Sequence, residues 1–238
     1  MDTTPTPVRT DEDGAAASER RRFALWPLWA AAAGILGMVS SVVTDTRVDA
    51  DEDFAFPVGA EHMADLDYDL FRVGGFTGYL TVICLVVFLA VWRHRVEQRF
   101  SWSVGASVVT FGVGVSAAAL TLAYGWKGAL GTYGHGRPEA DTYDDAGLYT
   151  YYVMNDFSPY LSWLGVLIAG GGLAWMAFRE GLVSRVLGAL CVLLAVGTLL
   201  AVGITGVPGL PITAALGMAI GGVWLTFGRS AITQPDAD

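Results

Sequence analysis

Long runs without a charged residue constrain the fold of this chain more than any other feature. They cover Phe23–Thr44, Val73–Trp92, Phe100–Trp126, Phe157–Phe178 and Val186–Gly228. A helix needs about 20 apolar residues to cross a bilayer core about 30 Å thick. Each of the first four runs fits one crossing, whereas the fifth has 43 residues and fits two. Two prolines and two glycines within residues 206–211 interrupt this fifth run, because they break a helical hydrogen-bond ladder.

The composition agrees with a membrane location, since 53% of the residues are hydrophobic and 16% are charged. Globular chains carry about 25% charged residues. We therefore expect an all-α fold, a polytopic transmembrane bundle with six membrane-spanning helices. The predicted transmembrane domain covers residues 20–229, with spans at 23–44, 70–92, 102–126, 157–178, 186–206 and 208–228. Residues 1–19 are rich in Thr, Pro, Asp and Ala and predict a disordered tail, and residues 230–238 form a second short tail.

The distribution of charge along the chain predicts the orientation of these helices. Arginines flank one set of helix ends: Arg20, Arg21, Arg22, Arg93, Arg95, Arg99, Arg179, Arg185 and Arg229. Loops rich in Lys and Arg stay in the cytoplasm, so both termini are expected there. The loops on the opposite side are acidic. Residues 45–69 carry nine carboxylates and one arginine, and residues 127–156 carry five carboxylates and two basic groups.

These features predict a multi-pass protein of the cell (plasma) membrane whose surroundings are the lipid bilayer. Nucleic-acid binding is not expected of a chain with a pI near 4.7 and no basic patch beyond the inner loops. Pairs of small residues four apart occur in two spans, Ala33 with Gly37 and Gly217 with Gly221. Such pairs let helices approach closely, either inside one bundle or against a membrane protein partner or a second copy.

Ionisable groups near the ends of the spans are the candidates for ligand binding. Arg72 lies about one turn inside the second span, Lys127 directly follows the third, and Asp156 directly precedes the fourth. Each is expected to be an interfacial anchor or ion-pair partner, or else part of an anion- or ligand-binding site at the outer mouth of a cavity.

Imidazole and carboxylate groups in the two acidic loops are the candidates for metal binding. His62 and Asp65 lie in the first loop, and His135 and Asp141 lie in the second. Histidine and aspartate are ordinary ligands of zinc or manganese, so the two loops together could hold one divalent cation. The spacing matches no known metal motif. The sequence assigns no catalytic residue and implies no cofactor.

The Ala/Gly/Val/Leu-rich spans, the Thr-Pro-Asp N-terminal tail and the arginine triplet before Phe23 together resemble the uncharacterised six-span membrane proteins of actinobacterial type. This resemblance covers the whole chain in style and transfers no site residue. Three functions stay open. The first is a non-enzymatic accessory or scaffold subunit. The second is a transporter or channel for a small molecule or lipid with an outward-facing cavity. The third is a membrane enzyme with an extracytoplasmic His/Asp site.

Overall fold

The computed structural model of the protein describes residues 24–44, 58–206 and 210–234. In these ranges all regular structure is helical and there is no β-strand. The helices are α1 Leu28–Met38, α2 Tyr68–Trp92, α3 Val104–Tyr133, α4 Asp145–Ser162, α5 Leu164–Trp175, α6 Arg185–Thr205 and α7 Leu210–Phe227. The predicted tail at residues 1–19 lies outside the described residues.

The described helices confirm the expected apolar bundle. Five helical stretches are long and apolar enough to cross a membrane: Tyr68–Glu97, Val104–Tyr133, Asp145–Glu180, Arg185–Thr205 and Leu210–Phe227. The first helix and the turn that follows it, together Leu28–Val43, are apolar but shorter than these five stretches. The break expected in the last uncharged run is present, because α6 ends at Thr205 and Gly206 follows with a φ of 69°.

Two helices continue well into the region expected to be the second acidic loop. The third helix extends to Tyr133, because no proline follows Trp126 until Pro138 and the first helix-ending glycine is Gly134. The fourth begins at Asp145, where the Asp144 carboxylate accepts a hydrogen bond from the Gly147 amide at 2.9 Å. Helical residues Asp145–Glu180 would measure about 54 Å at 1.5 Å per residue, which exceeds a bilayer core of about 30 Å.

The helices pack side by side in a ring. The first helix packs on α2 and on α7, α2 packs on α3, α3 on α5, and α5 on α6. The contact between α6 and α7 is much smaller than these. The α1–α7 pair is close, since a Cβ atom on Gly34 would lie 2.4 Å from the Ala215 carbonyl oxygen and one on Gly222 would lie 2.6 Å from the Ala31 amide nitrogen.

Glycines also bring α3 and α5 into backbone contact. A Cβ atom on Gly112 would lie 2.4 Å from the Gly165 carbonyl oxygen, and one on Gly165 would lie 2.2 Å from the Gly112 carbonyl oxygen. Gly105 and Gly172 face each other in the same reciprocal way, at 2.7 Å. Small residues therefore serve packing within the bundle at this interface, as they do in other membrane helix pairs.

Each of three described helices ends in a π-helical turn, a geometry that is rare and is often found at functional sites. These turns are Val39–Val43 after α1, Arg93–Glu97 after α2 and Met176–Glu180 after α5. Each of the last two turns contains a glutamate whose carboxylate accepts hydrogen bonds from the first turns of α3. The Glu180 carboxylate accepts hydrogen bonds from the Ser103 hydroxyl and, at 3.3 Å, from the Gly105 amide. The Glu97 carboxylate accepts one from the Thr110 hydroxyl at 2.9 Å.

Candidate functional site

One end of the bundle is closed by a small folded layer, here called the cap, formed by residues 58–71 and 127–156. It contains the 3₁₀ turn Ala60–Asp65, the last turns of α3 and the first half of α4. These pieces share an apolar core: Met63, Leu66, Tyr68, Phe71, Leu130, Leu148 and Tyr152. The described parts of the two acidic segments are therefore packed into one unit.

Tyrosine rings join the end of α3 to the start of α4 within the cap. The ring of Tyr133 lies 5.0 Å from that of Tyr143 and 6.0 Å from that of Tyr151, measured between centroids. The rings of Tyr143 and Tyr151 are 5.6 Å apart and meet edge to face. Aromatic pairs with these geometries each add about 0.5–1.5 kcal/mol beyond the burial of their area. The cluster therefore holds the two helices at a fixed separation.

Two ion pairs on the cap surface join separate segments of the chain. Arg137 donates a hydrogen bond to the Asp69 carboxylate at 2.7 Å, and this carboxylate raises the pKa of the Arg137 guanidinium. The His135 Nε2 and Asp145 Oδ1 atoms are also 2.7 Å apart. Asp69 is 74% exposed and His135 is 50% exposed, so water screens both interactions and each contributes little to stability.

Lys127 lies at the centre of a polar network between the cap and the rest of the bundle. Its side chain is 1% exposed. The ammonium group donates one hydrogen bond to the Ser40 carbonyl oxygen at 2.5 Å and another to the Thr44 hydroxyl oxygen at 3.2 Å. Gly74 on α2 provides the space, since a Cβ atom there would lie 2.9 Å from Lys127 Cδ.

The π turn after α1 changes the partners of the Ser40 carbonyl, which accepts from Lys127 and, at 2.9 Å, from the Thr44 hydroxyl. In an α-helix this carbonyl would accept from the Thr44 amide, four residues later. Here the Thr44 amide bonds instead to the Val39 carbonyl, five residues back, at 3.0 Å. The Lys127 charge therefore meets the carbonyl end of the first helix, where the helix dipole favours a cation.

A second branch of the network connects three helices through Ser41. The Ser41 and Tyr124 hydroxyl oxygens are 2.9 Å apart, and the Trp163 indole nitrogen donates to Ser41 at 3.4 Å. Beside this branch, the Ser40 hydroxyl donates to the Gly74 carbonyl at 2.6 Å. The network thus ties the end of the first helix to α2, to α3 and to Trp163, which joins α4 to α5.

Asn155 is a further buried polar side chain on the inward face of α4. It is 4% exposed, and its amide oxygen has no hydrogen-bond partner among the described residues. Leaving a buried acceptor unpaired costs about 1–3 kcal/mol. This position is therefore one where an additional donor would stabilise the α4 face.

The three candidate ligand-binding residues lie in different environments. Lys127 is enclosed as described above, and solutes do not reach it in this conformation. Arg72 on α2 and Asp156 on α4 are both exposed. The environment of Lys127 fits a group that fixes helix positions, whereas Arg72 and Asp156 are accessible from outside.

The four candidate metal ligands lie in the cap with other partners. The Nδ1 atom of His62 accepts from the Gly59 amide at 3.1 Å, and His135 pairs with Asp145. Asp65 and Asp141 are exposed. Within the described ranges, no three His, Cys, Asp or Glu side chains come together in a way that could hold a metal ion.

Sequence reasoning missed the burial of Lys127 and did not single out Ser40, Ser41, Tyr124 or Asn155. A signal for Lys127 was present, because the helical pattern continues past Trp126 without a stop until Gly134. The π turn that makes Ser40 an acceptor has no recognisable pattern in the sequence.

Comparisons with known proteins add no relative to these observations. No family model, curated protein or solved structure matches the chain.

Proposed function

We propose that this protein is a non-enzymatic accessory or scaffold subunit of the plasma membrane. It presents its cap on the extracytoplasmic side to a membrane protein partner. The observation that carries this proposal is the cap itself, which has its own apolar core and rests on the Lys127 network. A surface fixed in this way keeps its shape when a partner binds, which lowers the entropy cost of association.

The acidic surface of the cap is the part proposed to contact the partner. Glu139 is exposed directly before the 3₁₀ turn Ala140–Thr142, Asp141 is exposed within it, and Asp65 is exposed on the neighbouring segment. Complementary charge across an interface adds specificity and speeds association. The partner is therefore expected to offer a basic surface at the same height above the bilayer.

Affinity capture from native membranes, followed by mass spectrometry, tests this proposal. The wild-type protein is expected to retain a partner in stoichiometric amount, and the double variant Glu139→Lys/Asp141→Lys is expected to lose at least nine-tenths of it. The matched control is Gln98→Lys, which adds a lysine at an exposed position at the opposite end of the bundle. Retention of the partner by the double variant would contradict a role for the cap, and a protein that purifies without any partner would contradict the accessory function.

The proposed topology has six crossings with both termini in the cytoplasm. Its support is the arginine distribution and the packing of the short first helix between α2 and α7. At 16 residues, Leu28–Val43 would span about 24 Å, slightly less than the bilayer core of about 30 Å. Local thinning of the bilayer accommodates such a difference at modest cost.

Single cysteines provide the test of orientation. In a background without Cys84 and Cys191, Thr142→Cys is expected to react with a membrane-impermeant thiol reagent in intact cells, and Ser101→Cys is expected to react only after lysis. Both positions are exposed, so burial does not explain a difference between them. The reverse pattern would overturn the orientation, and equal labelling of both would contradict the single crossing predicted between them.

The alternative function is a small-molecule or lipid transporter or channel. One observation favours its lipid-binding form, namely an apolar cavity lined by α2, α3, α5, α6 and α7. A transporter would be recognised in the same capture experiment as a lone protein that carries a bound lipid.

A further inference from the structure

The first turn of α6 lies where a spanning helix would meet the headgroups of the bilayer. The 21 residues Arg185–Thr205 measure about 32 Å at 1.5 Å per residue, which matches a bilayer core of about 30 Å. Only 17% of the apolar stretch of this helix is buried inside the bundle, the smallest share among the five long stretches described above. Lipid would therefore surround most of α6 and reach its first turn.

The end of α7 is fixed beside the start of α6. The Trp224 indole nitrogen donates a hydrogen bond to the Ser184 hydroxyl oxygen at 3.2 Å. After α7 the chain turns back over this end of the bundle, where the Ala231 amide donates to the Leu182 carbonyl at 3.1 Å. These two contacts bring the residues that follow α7 next to the short connection between α5 and α6.

Two exposed arginines flank the contact between Trp224 and Ser184. Arg185 directly follows Ser184, and Arg229 follows Trp224 by five residues. Neither arginine has an ion-pair partner among the described residues. Glu180, the carboxylate closest in sequence to Arg185, is turned towards the start of α3 and bonded there. This region, here called the α6–α7 corner and formed by Ser184, Arg185, Trp224 and Arg229, is therefore positively charged.

The first turn of α6 adds backbone donors to this corner. The Ser184 hydroxyl caps the helix by accepting from the Leu187 amide at 3.3 Å, whereas the amides of Arg185 and Val186 have no acceptor within the helix. Free amides and the helix dipole together stabilise an anion at such a helix start. Arginine adds a planar guanidinium group that binds phosphate through two parallel hydrogen bonds. The donors of the corner therefore suit a phosphate group at the membrane surface.

We propose that the α6–α7 corner binds the phosphate headgroup of an anionic phospholipid through Arg185, Arg229 and the first amides of α6. The proposal rests on the membrane insertion proposed above, because insertion places the corner among headgroups. Trp224 and Phe227 are 38% and 57% exposed at the same end of α7, and aromatic rings favour this interfacial depth. An anionic headgroup is preferred over phosphatidylcholine, since the choline cation would be repelled by the two arginines.

Native mass spectrometry of the full-length protein in mild detergent tests this site. The protein is titrated with phosphatidylglycerol or with phosphatidylcholine, and the dissociation constant of the first bound lipid is measured. The wild-type protein is expected to bind phosphatidylglycerol more tightly. A basic residue beside anionic lipid contributes roughly a factor of five in affinity, so Arg185→Gln/Arg229→Gln should weaken phosphatidylglycerol binding about 25-fold. Binding of phosphatidylcholine should stay unchanged in this variant.

A second pair of arginines at the same end of the bundle provides the matched control. Arg93 and Arg95 are exposed on the π turn after α2, across the ring from the α6–α7 corner. The variant Arg93→Gln/Arg95→Gln removes the same amount of charge and should leave the affinity for phosphatidylglycerol unchanged. All four arginines are exposed, so both double variants are expected to fold like the wild-type protein.

Three results would overturn the lipid site. The first is equal affinity of the wild-type protein for the two lipids. The second is an equal loss in the two double variants, because it would assign the effect to the overall charge of this end. The third is displacement of phosphatidylglycerol by inorganic phosphate beyond the effect of chloride at the same ionic strength, which would identify a free anion as the ligand. Each result leaves the topology untouched, since cysteine labelling at Ser101 and Thr142 tests the topology separately.

Discussion

Lys127→Met is expected to destabilise the folded bundle by about 3 kcal/mol. Methionine preserves most of the side-chain length but cannot donate to the Ser40 carbonyl or to the Thr44 hydroxyl. A hydrogen bond from a charged group contributes about 1.5–3 kcal/mol, and the variant loses two such bonds, although the Ser40 carbonyl keeps the Thr44 hydroxyl as a donor at 2.9 Å. Thermal unfolding in mild detergent, followed as the fraction of monodisperse protein after heating, measures the change.

Arg72→Met is the matched control for this substitution. Arg72 is also a cation near the cap end of the bundle, but it is exposed, so its replacement should change the free energy of unfolding by less than about 0.5 kcal/mol. Equal losses of unfolding free energy in the two variants would mean that the positive charge acts through the overall electrostatic potential of the cap. In that case the specific contact with the first helix would not be the source of stability.

Gly112→Ala is expected to cost about 3 kcal/mol or more, although it adds a single methyl group. The new Cβ atom would lie 2.4 Å from the Gly165 carbonyl oxygen and 2.8 Å from the Ala169 amide nitrogen. Both neighbours are backbone atoms, so α3 and α5 would have to move apart along their whole contact. Overpacking of this kind typically costs 1–3 kcal/mol, and more where side chains cannot adjust.

Gly125→Ala on the same helix should instead increase the free energy of unfolding. No heavy atom lies within 4 Å of a Cβ position at Gly125, so the substitution is free of clashes. Alanine has a higher helix propensity than glycine by about 1 kcal/mol, which predicts a small gain in stability. The same thermal assay compares the two variants. A loss at Gly125 as large as that at Gly112 would contradict the assignment of the α3–α5 contact.

The helices were predictable because their signals are local. The uncharged runs and the Gly206–Pro211 break determine where apolar helices begin and end, and α2, α6 and α7 lie close to their expected positions. The first helix is shorter than its run, since Pro27 stands directly before Leu28 and the π turn ends at Val43.

The cap and its polar network were less predictable because they depend on contacts between distant residues. Lys127 and Ser40 are 87 residues apart, and nothing near either residue indicates the other. Acidic residues in 127–156 suggested a loop, yet Tyr149, Tyr151 and Tyr152 lie on a helix whose buried face packs on α3. The charges in residues 127–156 predicted a side of the bilayer. They did not predict the secondary structure there, where α4 packs on α3.

The close pairing of α1 with α7 has a consequence for biogenesis. In the proposed topology, α1 leaves the translocon before α7 and meets this glycine-mediated partner only after the ribosome has made it. Until then, Gly34 and its neighbours face lipid, and the nascent chain is an open arc of helices. Completion of α7 would then close the ring of helices, and a product truncated at Gly206 would leave the α7-facing surface of the first helix, with Gly34, uncovered.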